Sequence, residues 1–534
     1  MAEELAFARK ASGLVRGLSF WDVFGIGLAF ITPIYAIWYI IEVGLTLYPA
    51  ANLLIAVVIS ILTIGWASPI VWGILGGTMP RSGGEYVYNS RIINPAVALG
   101  ASFAAICAQF YWNLFNSSLI AVPALSILGQ YMGWKGLSDF ATSKSGGCII
   151  SIAGLFVAFV LLSFGMRLFK RLSVWVVGVM LGGVVILDVA LSLSSKGSFI
   201  SHWNAQAAKY HSLPYDKFVS AAHAAGAATP TSWSWGDTFG ATAGVFMIFI
   251  WAFGISYVGG EVKRPDKTVI RAQIATVGIP VVLCLWALFA INHIIPFDFL
   301  RAAAFQDFSA ATKGYTLPYS TSYMSLAYLA SGANPFIAVV AGITFMVTAL
   351  WLVVVNVLMC QRAMFAWGMD RMGPKWFTSV SGRYAAPVGM YAFVAALSAL
   401  LVVGYWYLFP SVLSGLIASG MQLVSVFAVT AISAIIFAYR KKVAHIWDAS
   451  PYKRWKLFGV PVLTIAGSVY FCYVISLIYF AFFDSKTKDI TGKKAWLMAA
   501  AWVAGILWYY AWKYRSKRQG VDVASTTYGQ LPPE

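Results

Sequence analysis

The chain has 534 residues, of which 60% are hydrophobic and only 10% charged, and its mean hydropathy is +0.76. A soluble domain carries about 25% charged residues, so this composition excludes a soluble globular protein and makes length a poor guide to domain count. The net charge of +18 is read first as a signature of membrane orientation, since Lys and Arg sort to one side of the bilayer; no nucleic-acid partner is expected.

Residues 1–21 read as a polar tail, and Met1 to Lys10 is too mixed in charge for a cleavable signal peptide. A span needs about 20 apolar residues. Twelve such runs occur, at 22–44, 52–77, 97–131, 147–166, 173–195, 238–259, 269–295, 336–361, 386–409, 411–439, 459–483 and 495–512. They are numbered spans 1 to 12 here, and the third is long enough to tilt.

In span 1, Pro33 removes a helical hydrogen bond and leaves the carbonyl of Ala29 without its donor. Gly27 and Thr32 add freedom and a hydroxyl. An ordinary kink and a functional break both fit. In span 3, Gln109, Asn113 and Asn116 are offset by four and three residues and share one helical face. Carboxamides are costly in lipid, so this face looks inward, either towards a solute or towards another helix. Glu42 and Asp188 are acidic groups inside the outer halves of spans 1 and 5. An intramembrane carboxylate is a functional group by default, although both lie near enough to span ends for interfacial exposure.

Residues 193–237 and 296–335 read as long outer loops. His202, His211 and His223, at spacings of 9 and 12, match no metal-ligand pattern, and a short helix is expected over Asp216 to Ala225. Span 6 carries Gly254 and Ser256 near its middle, flanked by Trp251, Phe253 and Ile255, and closes on Gly259, Gly260 and Glu261. Lipid offers the backbone no partner, so a broken helix survives only where it lines a cavity. Paired broken helices at the midplane mark secondary transporters. Trp251 and Phe253 are candidates to close over a solute or to pack. Span 8 places Thr344, Thr348 and Asn356 on one face; the Thr348 hydroxyl suits either a sodium ion or plain packing. Span 10 offers Gln422 and Ser425. Five scattered cysteines form no motif.

With the N-terminus inside, 26 of the 37 Lys and Arg residues fall in cytoplasmic segments and 11 in outer loops. Both termini are therefore expected in the cytoplasm. The expected organisation is an N-terminal tail (1–21), a first five-helix repeat (22–195), an outer loop (196–237), a second inverted repeat (238–439), two peripheral helices (440–512) and a C-terminal tail (513–534).

Three segments carry a family likeness: Met79-Pro-Arg81-Ser-Gly-Gly-Glu85-Tyr-Val-Tyr88, span 6 with its Glu261-Val-Lys263-Arg264-Pro265 ending, and Arg362 to Phe377 with Asp370 and Arg371, continued by Arg383 to Val388. On these the chain resembles the amino acid–polyamine–organocation transporters, amino acid permeases among them, over nearly its whole length. The resemblance implies an all-α polytopic membrane protein of twelve helices with the leucine-transporter-type 5+5 inverted repeat plus two peripheral helices. It also implies that spans 1, 3, 6, 8 and 10 line the substrate site. Arg81, Glu85, Glu261, Lys263, Arg264, Asp370 and Arg371 fall on the cytoplasmic side, where they form either an inner-gate charge network or simple positive-inside anchors. Two departures stand out. Where typical members carry a glycine-rich run in span 1, this chain has Ala29-Phe30-Ile31-Thr32-Pro33, which weakens backbone capture of a carboxylate. Where some members carry a proton-coupling Lys in span 5, this chain has Met180.

The expected function is secondary active transport of amino acids or related amines and organocations by alternating access, in the plasma membrane and in contact with its lipids. The coupling ion is open between a proton and sodium, and no cofactor or metal is expected. No P-loop occurs, so ATP does not drive it directly. The chain has no filter-like repeat for a channel and no His-x-x-x-His or paired acids for an enzyme. A non-transporting sensor on the same fold stays as an alternative.

Overall fold

The computed structural model describes residues 16–228, 230, 232–408, 416–484, 486, 490, 492–521, 523, 527 and 528. Eleven helices are long and apolar enough to cross a membrane, and the bent pair Trp235–Phe246 and Ile248–Tyr257 brings the number to twelve. In order they are Phe20–Leu47, Leu53–Thr78, Pro95–Met132, Lys144–Ser163, Met166–Ser192, the bent pair, Pro265–Ile294, Pro335–Met369, Val388–Tyr407, Ala418–Tyr439, Val462–Phe483 and Lys493–Arg518. Each coincides with one apolar run of the sequence. The protein is an all-α polytopic membrane protein, and its named strands, Lys456–Leu457 and Val460–Pro461, form only a short hairpin before span 11. Residues 1–15 of the expected N-terminal tail and the first residues of the expected tenth run lie outside the described residues.

Local chemistry starts the spans. Ser19 and Asp22 form a capping box: the Ser19 N–H donates to Asp22 Oδ2 at 2.8 Å, and the Asp22 N–H donates to Ser19 Oγ at 3.4 Å. Spans 3 and 8 begin alike, with Asn94-Pro95 and Asn334-Pro335, the Asn oxygen accepting a backbone N–H and Pro standing at the first helical turn.

Two spans are interrupted. In span 1, Thr32 takes a left-handed backbone (φ 49°) between the helices Phe20–Ile31 and Pro33–Leu47. Its N–H donates to the Leu28 carbonyl and its hydroxyl to the Ile31 carbonyl. Pro33 therefore opens a second helix and does not merely kink one. In span 6 the axis bends by 42° between Trp235–Phe246 and Ile248–Tyr257, and the α-helix Trp235–Ile250 passes into a 3-10 helix, Trp251–Tyr257. Gly254 was expected to be the point where the chain leaves the helix. The change comes earlier, at Trp251, and Gly254 does something else: a Cβ there would fall into the ring of Phe30. Glycine lets the two broken spans approach backbone to ring. Span 3 ends its extra length in a further irregularity at Val122 (φ −131°, ψ 117°).

The segment expected as an outer loop is more than a solvated loop over 196–224. It holds the helices Lys196–Lys209 and Tyr215–Ala224. Phe199, Trp203 and Phe218 are fully buried and cluster around Phe299 of the helix Phe297–Ser309. No group of three His, Cys, Asp or Glu arranged to hold a metal occurs among the described residues.

Between span 2 and the short helix Glu85–Ile92, the chain turns on Gly83 (φ 111°) and Gly84 (φ 56°). A side chain on Gly83 would also strike Ala366 of span 8. Replacement of Gly83 by Ala should therefore cost about 1–3 kcal/mol and lower the melting temperature in detergent. Gly182→Ala, inside the helix Met166–Ser192 with nothing within 4 Å of the new methyl, should not lower the melting temperature in the same assay, since Ala is the better helix former.

Candidate functional site

The two interrupted spans meet in the middle of the bundle. A Cβ on Gly27 would lie 2.6 Å from Ile255 Cδ1 and 2.7 Å from Thr276 Oγ1. The first half of span 1, the 3-10 segment of span 6 and span 7 thus converge on one point. Ala29, Phe30, Ile31 and Thr32 are all buried there, as are Trp251, Phe253, Gly254 and Ile255. The aromatic pair splits in role. Trp251 stands at 5.0 Å from Trp112 of span 3 in a T-shaped contact. Phe253 is packed between Trp72 and Phe427, with centroids 5.6 and 4.8 Å away.

The spans that meet here carry buried polar groups without hydrogen-bond partners, Thr276 at the junction itself among them. Gln109 on span 3, Gln273 on span 7 and Asn356 on span 8 leave both amide atoms unpaired, and the hydroxyls of Thr276 and Thr348 have no partner. Each unsatisfied buried group costs about 1–3 kcal/mol, and folded proteins keep few without a reason. Asn113 is half committed: its Nδ2 donates to Ser398 of span 9 at 3.2 Å, while its Oδ1 is unpaired. Of the span 3 face, Asn113 is thus partly helix–helix glue, Gln109 is free of partners, and Asn116 is buried beside them. Met180 is buried on span 5. Thr344, on the Thr348 face, packs against Gly183 of span 5.

A cavity of about 740 Å³, its open mouth included, borders this point. It is lined by Tyr39 and Gly44 of span 1, Gly244 and Trp251 of span 6, Trp112 of span 3, Met421 of span 10 and Phe480 of span 11, among others. The walls are mostly apolar and aromatic, as small-molecule sites are; Trp112 contributes an unpaired indole N–H. The cavity occupies the half of the bundle formed by the second half of span 1 and the first half of span 6.

The other half is closed by charges. Arg91 grips Asp370 with two hydrogen bonds of 2.7 and 2.9 Å, and Arg81 reaches the same carboxylate at 3.5 Å. Arg362 pairs with Glu261 at 2.8 Å, and the Tyr257 hydroxyl donates to Glu85 at 2.6 Å. All seven side chains are buried. Of the residues expected there, Arg81 and Asp370 belong to one ion-paired cluster, Glu261 pairs with Arg362 and Glu85 accepts from Tyr257. Lys263, Arg264 and Arg371 are exposed and lie outside these contacts. Arg91 and Arg362 are their strongest members and carried no signal in sequence beyond a charge inside or beside an apolar run. Burial raises Glu85 to about 7, against the lowering effect of the Tyr257 bond. Burial also raises Glu261, opposed by the charge of Arg362.

Towards the opposite end, Glu42 and Asp188 are both buried, which excludes interfacial exposure. The Tyr323 hydroxyl donates to Asp188 at 2.6 Å, leaving Oδ2 unpaired, and both oxygens of Glu42 are unpaired.

The sequence model of a family described as amino acid permease matches residues 18–507. No curated protein matches the chain significantly.

The Glu85 shift has a defined sign. A carboxyl raised from 4.5 to about 7 binds its proton more tightly in the folded protein. Its stabilisation is fully present below its ordinary value of 4.5 and is lost as pH rises through about 7. Melting temperature should fall between pH 5 and pH 8, and the fall should shrink in Glu85→Gln, which mimics the protonated form. An identical pH dependence in parent and variant would remove Glu85 from this role.

Proposed function

Because the chain belongs to the amino acid permease family, we propose that it is a secondary active transporter of amino acids or related amines and organocations, working by alternating access from a site at the junction of spans 1, 3, 6, 7 and 8. The observation that carries this reading is the asymmetry of the bundle. One half is sealed by buried ion pairs, and the other holds an apolar cavity that ends at the two broken spans. In this reading a solute enters by the cavity past Trp112 and Trp251, and the unpaired amides of Gln109 and Asn356 are the candidates to receive it. The apolar walls suit an aliphatic or aromatic side chain; the unpaired polar groups suit its charged ends. The buried hydroxyl of Thr348 is the candidate sodium ligand, and Asp188 is the candidate proton carrier.

The 5+5 inverted repeat is part of the proposal. It is supported by packing between equivalent spans: 2 against 7, 3 against 8, 4 against 9, and the halves of 1 against those of 6. The shared Asn-Pro start of spans 3 and 8 supports it too. We place both termini in the cytoplasm of a plasma-membrane protein on the distribution of Lys and Arg. Labelling single cysteines with an impermeant reagent in intact cells should find residues in 196–225 reactive and residues in 440–456 unreactive until the membrane is opened. The reverse pattern would overturn the orientation.

The site itself is tested by uptake into liposomes of radiolabelled amino acids, with and without sodium. Gly254→Leu should insert normally and lose uptake, because its side chain would displace Phe30 at the junction. Asn113→Ala should keep the fold and weaken substrate binding by about 1–3 kcal/mol, read as a smaller ligand-induced melting shift. Parent-like binding and uptake in both would move the solute away from spans 3 and 6.

A further inference from the structure

The cavity beside the broken spans is walled by five spans, and one of them was not expected there. Leu477, Phe480 and Ala481 belong to span 11 and stand in the same wall as Trp251 of span 6 and Met421 of span 10. No Asp, Glu, Lys, Arg or His is among the described residues that line it. Of its polar side chains, Tyr48 donates to Asp484 at 2.7 Å. The indole N–H of Trp112, a residue only 5% exposed, has no acceptor. An indole can only donate, and a buried donor left unpaired is costly.

Glycines supply the room. Gly244 of span 6 and Gly420 of span 10 both line the cavity. A Cβ on Gly244 would meet nothing nearer than Gly44 Cα at 3.9 Å, and one on Gly420 nothing within 4 Å. Close helix packing therefore does not require glycine at either position. Gly240, one turn earlier in span 6, is different: a Cβ there would strike the ring of Tyr48. What Gly244 and Gly420 preserve is space against an apolar wall.

We propose that this cavity seats the side chain of the substrate, and that the substrate class is amino acids with a large apolar side chain, aliphatic or aromatic. The amino and carboxylate groups then lie at the inner end, by Trp112 and the junction of spans 1 and 6, and a carboxylate oxygen accepts from the Trp112 indole. The side chain extends between spans 6, 10 and 11. Substrates with a charged side chain, and polyamines, are excluded, because the wall holds no counter-charge and a charge buried without one is costly. Small amino acids bind weakly, because they leave the apolar wall uncovered. The inference rests on reading the junction as the solute site, and it narrows the solute.

The test uses the full-length protein with alanine, norvaline, leucine, phenylalanine, lysine and glutamate. Affinities are read from melting shifts in detergent and from competition with radiolabelled leucine for uptake into liposomes. Affinity should rise from alanine through norvaline to leucine by about fourfold per added carbon, and lysine and glutamate should not compete. Gly244→Val should lower the phenylalanine-to-alanine affinity ratio by about tenfold or more while alanine binds as in the parent, a pattern that misfolding does not produce. Gly420→Leu repeats the test from span 10. Trp112→Phe should weaken all the amino acids by a common factor and keep the ratio. A ratio unchanged in both glycine variants, the result also expected if lipid tails fill the cavity, overturns the side-chain seat and leaves transport standing. Tightest binding of alanine, lysine or glutamate by the parent overturns it too, as does parent-like binding in Trp112→Phe. If the parent neither binds nor carries any amino acid, the transporter reading fails and this inference falls with it.

Discussion

Inside hydrocarbon a backbone N–H or carbonyl has no water to turn to, and the whole architecture follows from that. Ten spans answer with a largely continuous helical course. Spans 1 and 6 break the rule at Thr32 and at Trp251, and other spans must enclose them. Burial records this directly: 89% of the apolar stretch of span 1 is buried, against 11% for span 12. The broken helix sits at the centre and the intact one faces lipid. At Thr32 the N–H and the hydroxyl are satisfied locally, by the Leu28 and Ile31 carbonyls.

The same scarcity of water gives the buried charges their character. Taking Arg91 and Asp370 out of water is expensive, and their pairing offsets the cost only with good geometry; leaving one unpaired would cost about 3–5 kcal/mol. Such a pair has two acceptable conditions, fully made in a dry core or fully parted in water. That is the behaviour of a two-state element, not of a spring. Glu85 ties this element to the broken span, since its partner Tyr257 ends the 3-10 segment of span 6.

The polar groups of the midplane show the opposite economy. Gln109, Gln273, Asn356 and Thr348 are buried without partners, while the neighbouring cavity is walled by apolar side chains. An amino acid is itself divided in this way, with charged ends and a side chain that varies. On the proposed reading the arrangement offers each part a matching surface, and the run Ala29 to Pro33, which has no glycine at the break, moves recognition from backbone amides to side-chain amides.

Much of this was legible in the sequence because its causes are local. Apolar length sets the number of spans, Pro33 sets the break in span 1 through its missing N–H, and Ser19 with Asp22 sets where span 1 begins. The polar face of span 3 follows from helical periodicity alone. Other features depend on which helices become neighbours, and no local pattern holds that information. Arg91 and Arg362 outrank the exposed Lys263, Arg264 and Arg371 because folding carries Asp370 and Glu261 to them across the bundle. Phe253 turns to the core and Trp251 to the cavity, although both flank the same turn. Gly254 matters for the ring of Phe30, more than 200 residues away in the chain. The helix Lys196–Lys209 forms because Trp203 finds Phe299. Periodicity and proline act within a few residues, whereas the burial of a charge or a ring is decided by the partner that packing delivers.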